Sequence, residues 1–209
     1  MKNLIAVAAM TVLVSAPLVG DAQIPSMSGF GQKSAGGPDL SASQTGLVHS
    51  YVAANKDVLY SQSKLLEALG LKDQAAIAQA TADSLGDGAT KGNLADADKV
   101  QSNDSAALQA AVKAPIGTLD AQSKQTYTQG LVLLASGLVK YTGMRQDATA
   151  FGNGLSGASV LQVPKLQAGA YIVKSLPGST VNLTETLKTA VAFANSHGIE
   201  VPPVANSVI

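Results

Sequence analysis

The hydrophobic residues of this chain recur at helical spacing, most clearly within residues 120–143. Counted from Tyr127, the positions three, four, seven, ten, eleven and fourteen residues further on share one face of a helix. Those positions hold Gly130, Leu131, Leu134, Gly137, Leu138 and Tyr141. The uninterrupted apolar run at 130–139 is well short of the ~20 residues that cross a bilayer. We therefore predict a central helix of a soluble bundle.

Two glycines lie on the packing face of this predicted helix. A glycine inside a helix costs roughly 1 kcal/mol relative to alanine, so Gly130 and Gly137 need a compensating contact. Either another helix backbone approaches closely at both positions, which is the commoner arrangement, or a ligand does. The second interpretation makes both glycines candidates for the lining of an apolar groove.

The same periodicity predicts a first long helix at 45–69, capped by Ser43 or Thr45 and ended by a left-handed Gly70. On its main face, the apolar residues are interrupted by Asn55 and Gln62, which are seven positions apart. Buried polar residues at such a spacing fix helix register, or they supply the few polar contacts of an apolar pocket. Both interpretations remain open at this point.

Further helices follow from apolar spacing, capping residues and breakers. Pro177-Gly178 is expected to end one helix, and Asn182 with Glu185 forms a capping box for the last one. His197 is placed in the final turn, before Gly198. The predicted spans are 71–85, 94–113, 120–143, 144–151, 164–176 and 182–198.

The pattern as a whole predicts an all-α protein, a single-domain bundle of about six to seven helices. Residues 1–22 have the charged start, apolar run and small-x-small ending of a signal peptide, and we expect cleavage after Ala22. Residues 23–43 are rich in Ser, Gly and Pro and are expected to form a disordered leader. The bundle domain then covers 44–200, and 201–209 form an irregular tail.

Composition narrows the function classes. Fourteen basic residues balance fourteen acidic ones, so the clustered positive charge that recognises nucleic acid or anionic membrane is not expected. Cysteine is absent, which rules out disulfides, thiol catalysis and a lipidated cysteine anchor. An exported protein of this composition is expected to be stabilised by packing alone.

No convincing catalytic constellation emerges. The two histidines, His49 and His197, lack metal-ligand spacing, and Asp96 and Asp98 point to different sides of a helix. We expect His49 to be half-buried and both aspartates to favour the start of their helix. Residues 152–157 read GNGLSG, which matches the letters GxGxxG but follows a predicted helix instead of a strand, so a flexible loop explains them better than a dinucleotide site.

The sequence thus favours a non-catalytic, periplasmic or secreted binding protein without cofactor or metal. Its ligand would be an apolar or lipid-like small molecule held in a groove. The alternative is a structural or partner-binding envelope protein without such a ligand. A hydrolase built around Ser156 is a third and weaker hypothesis. The groove candidates are Asn55, Gln62, Tyr127, Gly130, Gly137 and Tyr141.

Overall fold

The computed structural model describes residues 39–209, which fold into seven α-helices and one short 3-10 helix. No strand occurs within these residues, and the all-α prediction is confirmed. The predicted signal peptide and most of the predicted leader lie outside the described residues. The helices are α1 Leu40–Ala68, α2 Lys72–Ser84, α3 Lys91–Ala111, α4 Ala121–Gly143, α5 Arg145–Leu155, the 3-10 helix Val163–Leu166, α6 Gln167–Ser196 and α7 Pro203–Ser207.

Helix α1 begins earlier than its apolar pattern indicates. The Asp39 carboxylate accepts hydrogen bonds from the backbone N–H groups of Ser41 and Ala42, at 3.0 and 3.3 Å, and so satisfies donors that the first turn leaves free. The prediction of a cap at Ser43 or Thr45 is therefore wrong, because both residues lie inside the helix. The other end is confirmed, since Gly70 has a φ of 82°.

The central helix α4 has the predicted buried face. Asp120 caps it through the Ser123 N–H at 2.7 Å, and every residue of the predicted stripe from Tyr127 to Tyr141 is buried. Its most extensive contact is with α1. The bundle is therefore arranged around this helix pair.

The two stripe glycines lie where α1 and α4 meet. A Cβ atom added to Gly130 would be 2.7 Å from Leu65 Cγ, and one added to Gly137 would be 2.6 Å from Val58 Cγ2. The Ser61 hydroxyl also donates to the Gly130 carbonyl at 2.7 Å. In this structure α1 fills the space beside both glycines.

Helix α6 runs through a proline that was expected to end it. Pro177 lies inside Gln167–Ser196, so the prediction of a turn at Pro177-Gly178 is wrong. The helix continues because its inward face is buried on both sides of the proline, at Leu176 and Leu183. Asn182 does not cap a new helix either, because its backbone and side-chain oxygens both accept from the Thr186 hydroxyl, at 2.8 and 3.2 Å.

Two segments expected to be irregular are partly helical. Residues 152–155 of the GxGxxG match belong to α5, where a Cβ on Gly154 would lie 2.5 Å from Leu40 Cδ2. These glycines serve helix packing, and the loop prediction is wrong for this part. The C-terminal segment contains α7, with Ala205 buried. The end of α6 is as predicted, with His197 Nδ1 3.0 Å from the Phe193 carbonyl and Gly198 at a φ of 61°.

Between residues 39 and 209, no helix combines the length and the hydrophobicity that a membrane span requires.

Replacing Gly137 by alanine tests the close contact of α1 with α4. The new methyl group would meet Val58 and the Ala54 carbonyl, the latter at 3.3 Å, so we expect the free energy of unfolding to fall by about 1–3 kcal/mol. Gly143→Ala is the matched control, because no atom lies within 4 Å of its added Cβ. Chemical denaturation should show the control unchanged or stabilised by up to about 1 kcal/mol. Equal effects would contradict the contact.

Replacing Pro177 by alanine restores one N–H inside α6. The carbonyl of Val173, four residues earlier, would regain its helical partner. We expect a net gain of about 1–2 kcal/mol, after allowance for the greater freedom of the unfolded chain. Pro203→Ala is the control, since Pro203 occupies the first position of α7, where no helical N–H is needed. The control is therefore not expected to gain stability. A Pro177→Ala protein that gains no more stability than the control would contradict this interpretation of α6.

Candidate functional site

A partly buried polar cluster joins α1, α3 and α6. One oxygen of Asp98, Oδ2, accepts hydrogen bonds from the Tyr51 hydroxyl at 2.6 Å and from the Tyr171 hydroxyl at 2.7 Å. The Tyr51 hydroxyl is also 3.2 Å from Ser175 Oγ. We call Tyr51, Asp98, Tyr171 and Ser175 the Asp98 cluster. It connects three helices through a single carboxylate.

The electrostatics of this cluster favour neutral tyrosines. Burial raises the pKa of Asp98, and the hydrogen bonds from Tyr51 and Tyr171 partly offset that rise. Burial is also the main reason why the pKa values of Tyr51 and Tyr171 are raised, and their proximity to Asp98 adds to the effect. Phenols with raised pKa values remain protonated donors at neutral pH and are poor nucleophiles. The arrangement therefore suits structural hydrogen bonding better than covalent catalysis.

The two polar residues of the α1 face differ in how well they are paired. Gln62 donates through Nε2 to the Gln101 carbonyl at 2.8 Å and to Ser105 Oγ at 3.0 Å. Asn55 is fully buried and close enough to Asp98 to help lower its pKa, but neither amide atom has a partner with hydrogen-bond geometry. Gln62 thus ties α1 to α3, as the register interpretation requires, whereas Asn55 has no such bond.

The remaining groove candidates are also buried. Tyr127 donates to the Ala190 carbonyl of α6 at 3.2 Å, and Tyr141 donates to Gln101 Oε1 at 3.2 Å. The structure therefore brings Gln62 and Tyr141 to the same residue of α3, while Tyr127 contacts α6. Gly130 and Gly137 face α1, as described above. None of these six candidates lines the two surface depressions described below.

Sequence reasoning missed the polar side of α3. Its buried positions follow a helical period, and half of them are polar: Leu94, Ala97, Gln101, Asp104, Ser105 and Leu108. The apolar search does select Leu108, which is buried, but its other choices, Val100, Ala107, Ala111 and Val112, are only partly buried. The expectation that Asp98 merely favours the helix start is wrong, because it lies two turns inside α3. The signal available was its position four residues after Leu94, on the buried face.

The residues with catalytic potential are not assembled. His49 is exposed instead of half-buried, and its Nδ1 lies 3.0 Å from Asp87 Oδ1 at the surface. Ser156 is exposed directly after α5, and no side-chain hydrogen bond to a histidine or acid is found for it within residues 39–209. In the same part of the chain, no group of three or more His, Cys, Asp or Glu side chains is placed to hold a metal ion.

A second feature is a groove of about 310 Å³ between α5 and α6. Its walls are mainly apolar, with a cationic group and two hydroxyl-bearing residues. We call it the α5–α6 groove. It is lined by Arg145, Ala148 and Thr149 of α5 and by Val173, Leu176, Pro177, Thr180 and Val181 of α6.

Polar groups of this groove are unevenly satisfied. The Thr149 and Thr180 hydroxyls donate within their own helices, to the carbonyls of Arg145 and Leu176, at 2.8 and 2.7 Å. Pro177 has no N–H to offer the Val173 carbonyl. Arg145 belongs to none of the three ion pairs found within residues 39–209. The groove therefore combines apolar walls with an arginine that lacks an acidic partner there.

Comparison with protein-family models, with curated proteins and with solved structures gives no match to this chain.

A second depression, of about 490 Å³, lies where the Asp98 cluster reaches the surface. Tyr171 and Ser175 line it together with Lys91, Gln167, Ala170 and Lys174. The hydroxyl groups of Tyr171 and Ser175 contact Asp98 and Tyr51 of the cluster. The lining of this depression includes two lysines, Lys91 and Lys174, and no acidic residue.

The pH dependence of stability is expected to report Asp104 on α3. Burial raises its pKa from 3.8 to about 6, and its Oδ2 atom has no hydrogen-bond partner. Because the folded pKa is above the unfolded one, the contribution of Asp104 to stability is greatest below about pH 4 and is lost as the pH rises through about 6. Asp104→Asn should raise the free energy of unfolding at pH 7 by roughly 1–2 kcal/mol, after allowance for solvent screening, with no difference near pH 4.

Denaturation of both proteins across this pH range checks the prediction. Asp96→Asn is the control, because Asp96 is an exposed residue of the same helix, and we expect its effect to stay within about 0.5 kcal/mol. An Asp104→Asn protein that is less stable than the parent at pH 7 would show that the ionised carboxylate has a partner.

Proposed function

We propose that this protein is an exported, non-catalytic helical bundle that binds an apolar or lipid-like small molecule in the α5–α6 groove. Residues 1–22 are proposed to direct its export, with the periplasm or the extracellular medium as destination. The observation that carries the proposal is the groove itself. Its volume of about 310 Å³ falls at the lower end of the range typical of small-molecule pockets.

The apolar walls of the groove supply the driving force. Val181 is 66% exposed, although it lines the groove together with the buried Leu176 and Ala148. Covering such surface yields roughly 25 cal/mol for each Å² removed from water. A hydrophobic ligand that contacts Val173, Pro177 and Val181 would therefore gain affinity without any change in the fold.

Pro177 gives additional support. A proline inside a helix removes a hydrogen bond and usually costs about 3 kcal/mol. Departures from local rules are expected most often at functional sites, where stability is sacrificed for another purpose. In α6 the departure coincides with the groove wall, since Val173 and Pro177 both line it.

The interior candidates fit a supporting role in this proposal. Gly130 and Gly137 let α1 and α4 approach, and Gln62 and Tyr141 bond to Gln101. Asn55 retains unpaired amide atoms in the core, which an ordered water would satisfy. We assign the ligand to α5 and α6 because these interior positions are already filled by neighbouring side chains.

A structural or partner-binding role is the second candidate, and a different observation favours it. The connection between α5 and the 3-10 helix leaves Val160 and Leu161 87% and 86% exposed. Adjacent exposed aliphatic residues are a common feature of protein contact sites. A partner protein that docks there would leave the α5–α6 groove unchanged.

Native mass spectrometry of the protein purified from its own host tests the proposal. We expect a bound small molecule that is retained by the parent and lost from Val181→Glu, because a carboxylate placed on the apolar wall would be desolvated by the ligand. Val139→Glu is the matched control, since Val139 is a half-exposed valine of α4 outside the groove.

The outcomes separate the two candidate functions. Binding that is retained in Val139→Glu but weakened at least ~10-fold in Val181→Glu would support the groove, a change of about 1.4 kcal/mol. Absence of any adduct on the parent, together with no thermal stabilisation by long-chain lipids, would contradict small-molecule binding. Crosslinking to a partner through residues 160–161 would then favour the second candidate.

A further inference from the structure

We infer that the ligand of the α5–α6 groove is an aliphatic carboxylate whose head group is bound by Arg145. This inference rests on the proposed function and specifies its ligand class. The observation that carries it is the position of one arginine side chain. Arg145 is the chain's only arginine among 14 basic residues, and it lies at the groove.

The geometry of the arginine guanidinium group matches a carboxylate better than that of a lysine ammonium group does. Its planar set of N–H donors can bind both oxygens of a carboxylate at once, and it is weakly hydrated. The thirteen lysines of the chain offer only point charges. Of the eight residues that line the groove, five are apolar and two are threonines. Arg145 is therefore its one charged group.

No acidic residue within 39–209 forms an ion pair with Arg145. Its closest acidic neighbour along α5, Asp147, lines a separate depression with Leu40 and Phe151. On α6, Glu185 lies one turn beyond Val181 and is 3.3 Å from Lys188 instead. Within residues 39–209, Arg145 is therefore available to an anion that is not part of the described chain.

The apolar wall sets the nature of the remainder of the ligand. Val173 and Val181 are eight residues apart, which corresponds to roughly 12 Å along a helix. Between them lie Leu176 and Pro177, which carry no ionisable group. A flexible alkyl chain can follow such a wall, whereas a compact polar metabolite would leave it uncovered. A medium-chain fatty acid is the simplest molecule with both properties.

Isothermal titration calorimetry with decanoate and with decanamide tests the inference on the intact protein. The two probes share an alkyl chain, but only decanoate carries a charge. We expect the parent to bind decanoate at least ~10-fold more tightly than decanamide, as charge-assisted hydrogen bonds are the stronger ones. Arg145→Gln should abolish this preference and change the affinity for decanamide less than ~3-fold.

Lys174→Gln is the matched control. It removes the same charge from an exposed position on α6 that lines the separate depression beside Tyr171. We expect it to alter the affinity for decanoate less than ~3-fold. Thermal unfolding of each variant verifies that the fold is intact.

The results distinguish failure of the inference from failure of the proposed function. Equal affinity of the parent for both probes, or equal loss in Arg145→Gln and Lys174→Gln, would overturn the assignment of a carboxylate to Arg145 while leaving apolar binding in place. Binding of neither probe below the micelle concentration would overturn both.

Discussion

The close approach of α1 and α4 is the constraint on which the rest of the structure depends. Gly130 and Gly137 have no side chain at the contact, and Leu65 and Val58 of α1 occupy the space. The hydrogen bond from Ser61 to the Gly130 carbonyl joins a side chain of one helix to the backbone of the other. A chain with few aromatic residues, 4% in all, gains its packing density in this way through short interhelical distances.

The position of α1 beside α4 also determines where the buried polar groups meet. Tyr51 and Gln62 of α1 reach Asp98 and Gln101 of α3, and Tyr141 of α4 reaches Gln101 as well. Buried polar groups are favourable only when they are paired, so these bonds restrict how α3 can lie against the central helix pair. Helices α5 and α6 complete the bundle on another side of α1, and the proposed ligand groove lies between them.

The sequence was sufficient for the class of the fold and for the central helix, because apolar periodicity is a direct consequence of burial. It left open whether a helix backbone or a ligand approaches the two glycines of that helix. It was insufficient where tertiary packing overrides a local signal. Pro177 stops an isolated helix, yet the buried residues on both sides of it keep α6 continuous. Asp98 and Gln101 were missed for the same reason, since a search for apolar residues does not detect a polar face that becomes buried. The groove depends on the pairing of α5 with α6, which no local pattern specifies.

A double-mutant cycle between Gly137 and Val58 measures the central contact most directly. If the two residues touch as described, Val58→Ala should relieve the crowding caused by Gly137→Ala. The double variant would then be more stable than the sum of the single effects predicts, by about 1 kcal/mol or more. Effects that add to within about 0.3 kcal/mol would show that the residues are independent, and would contradict the close approach of α1 to α4.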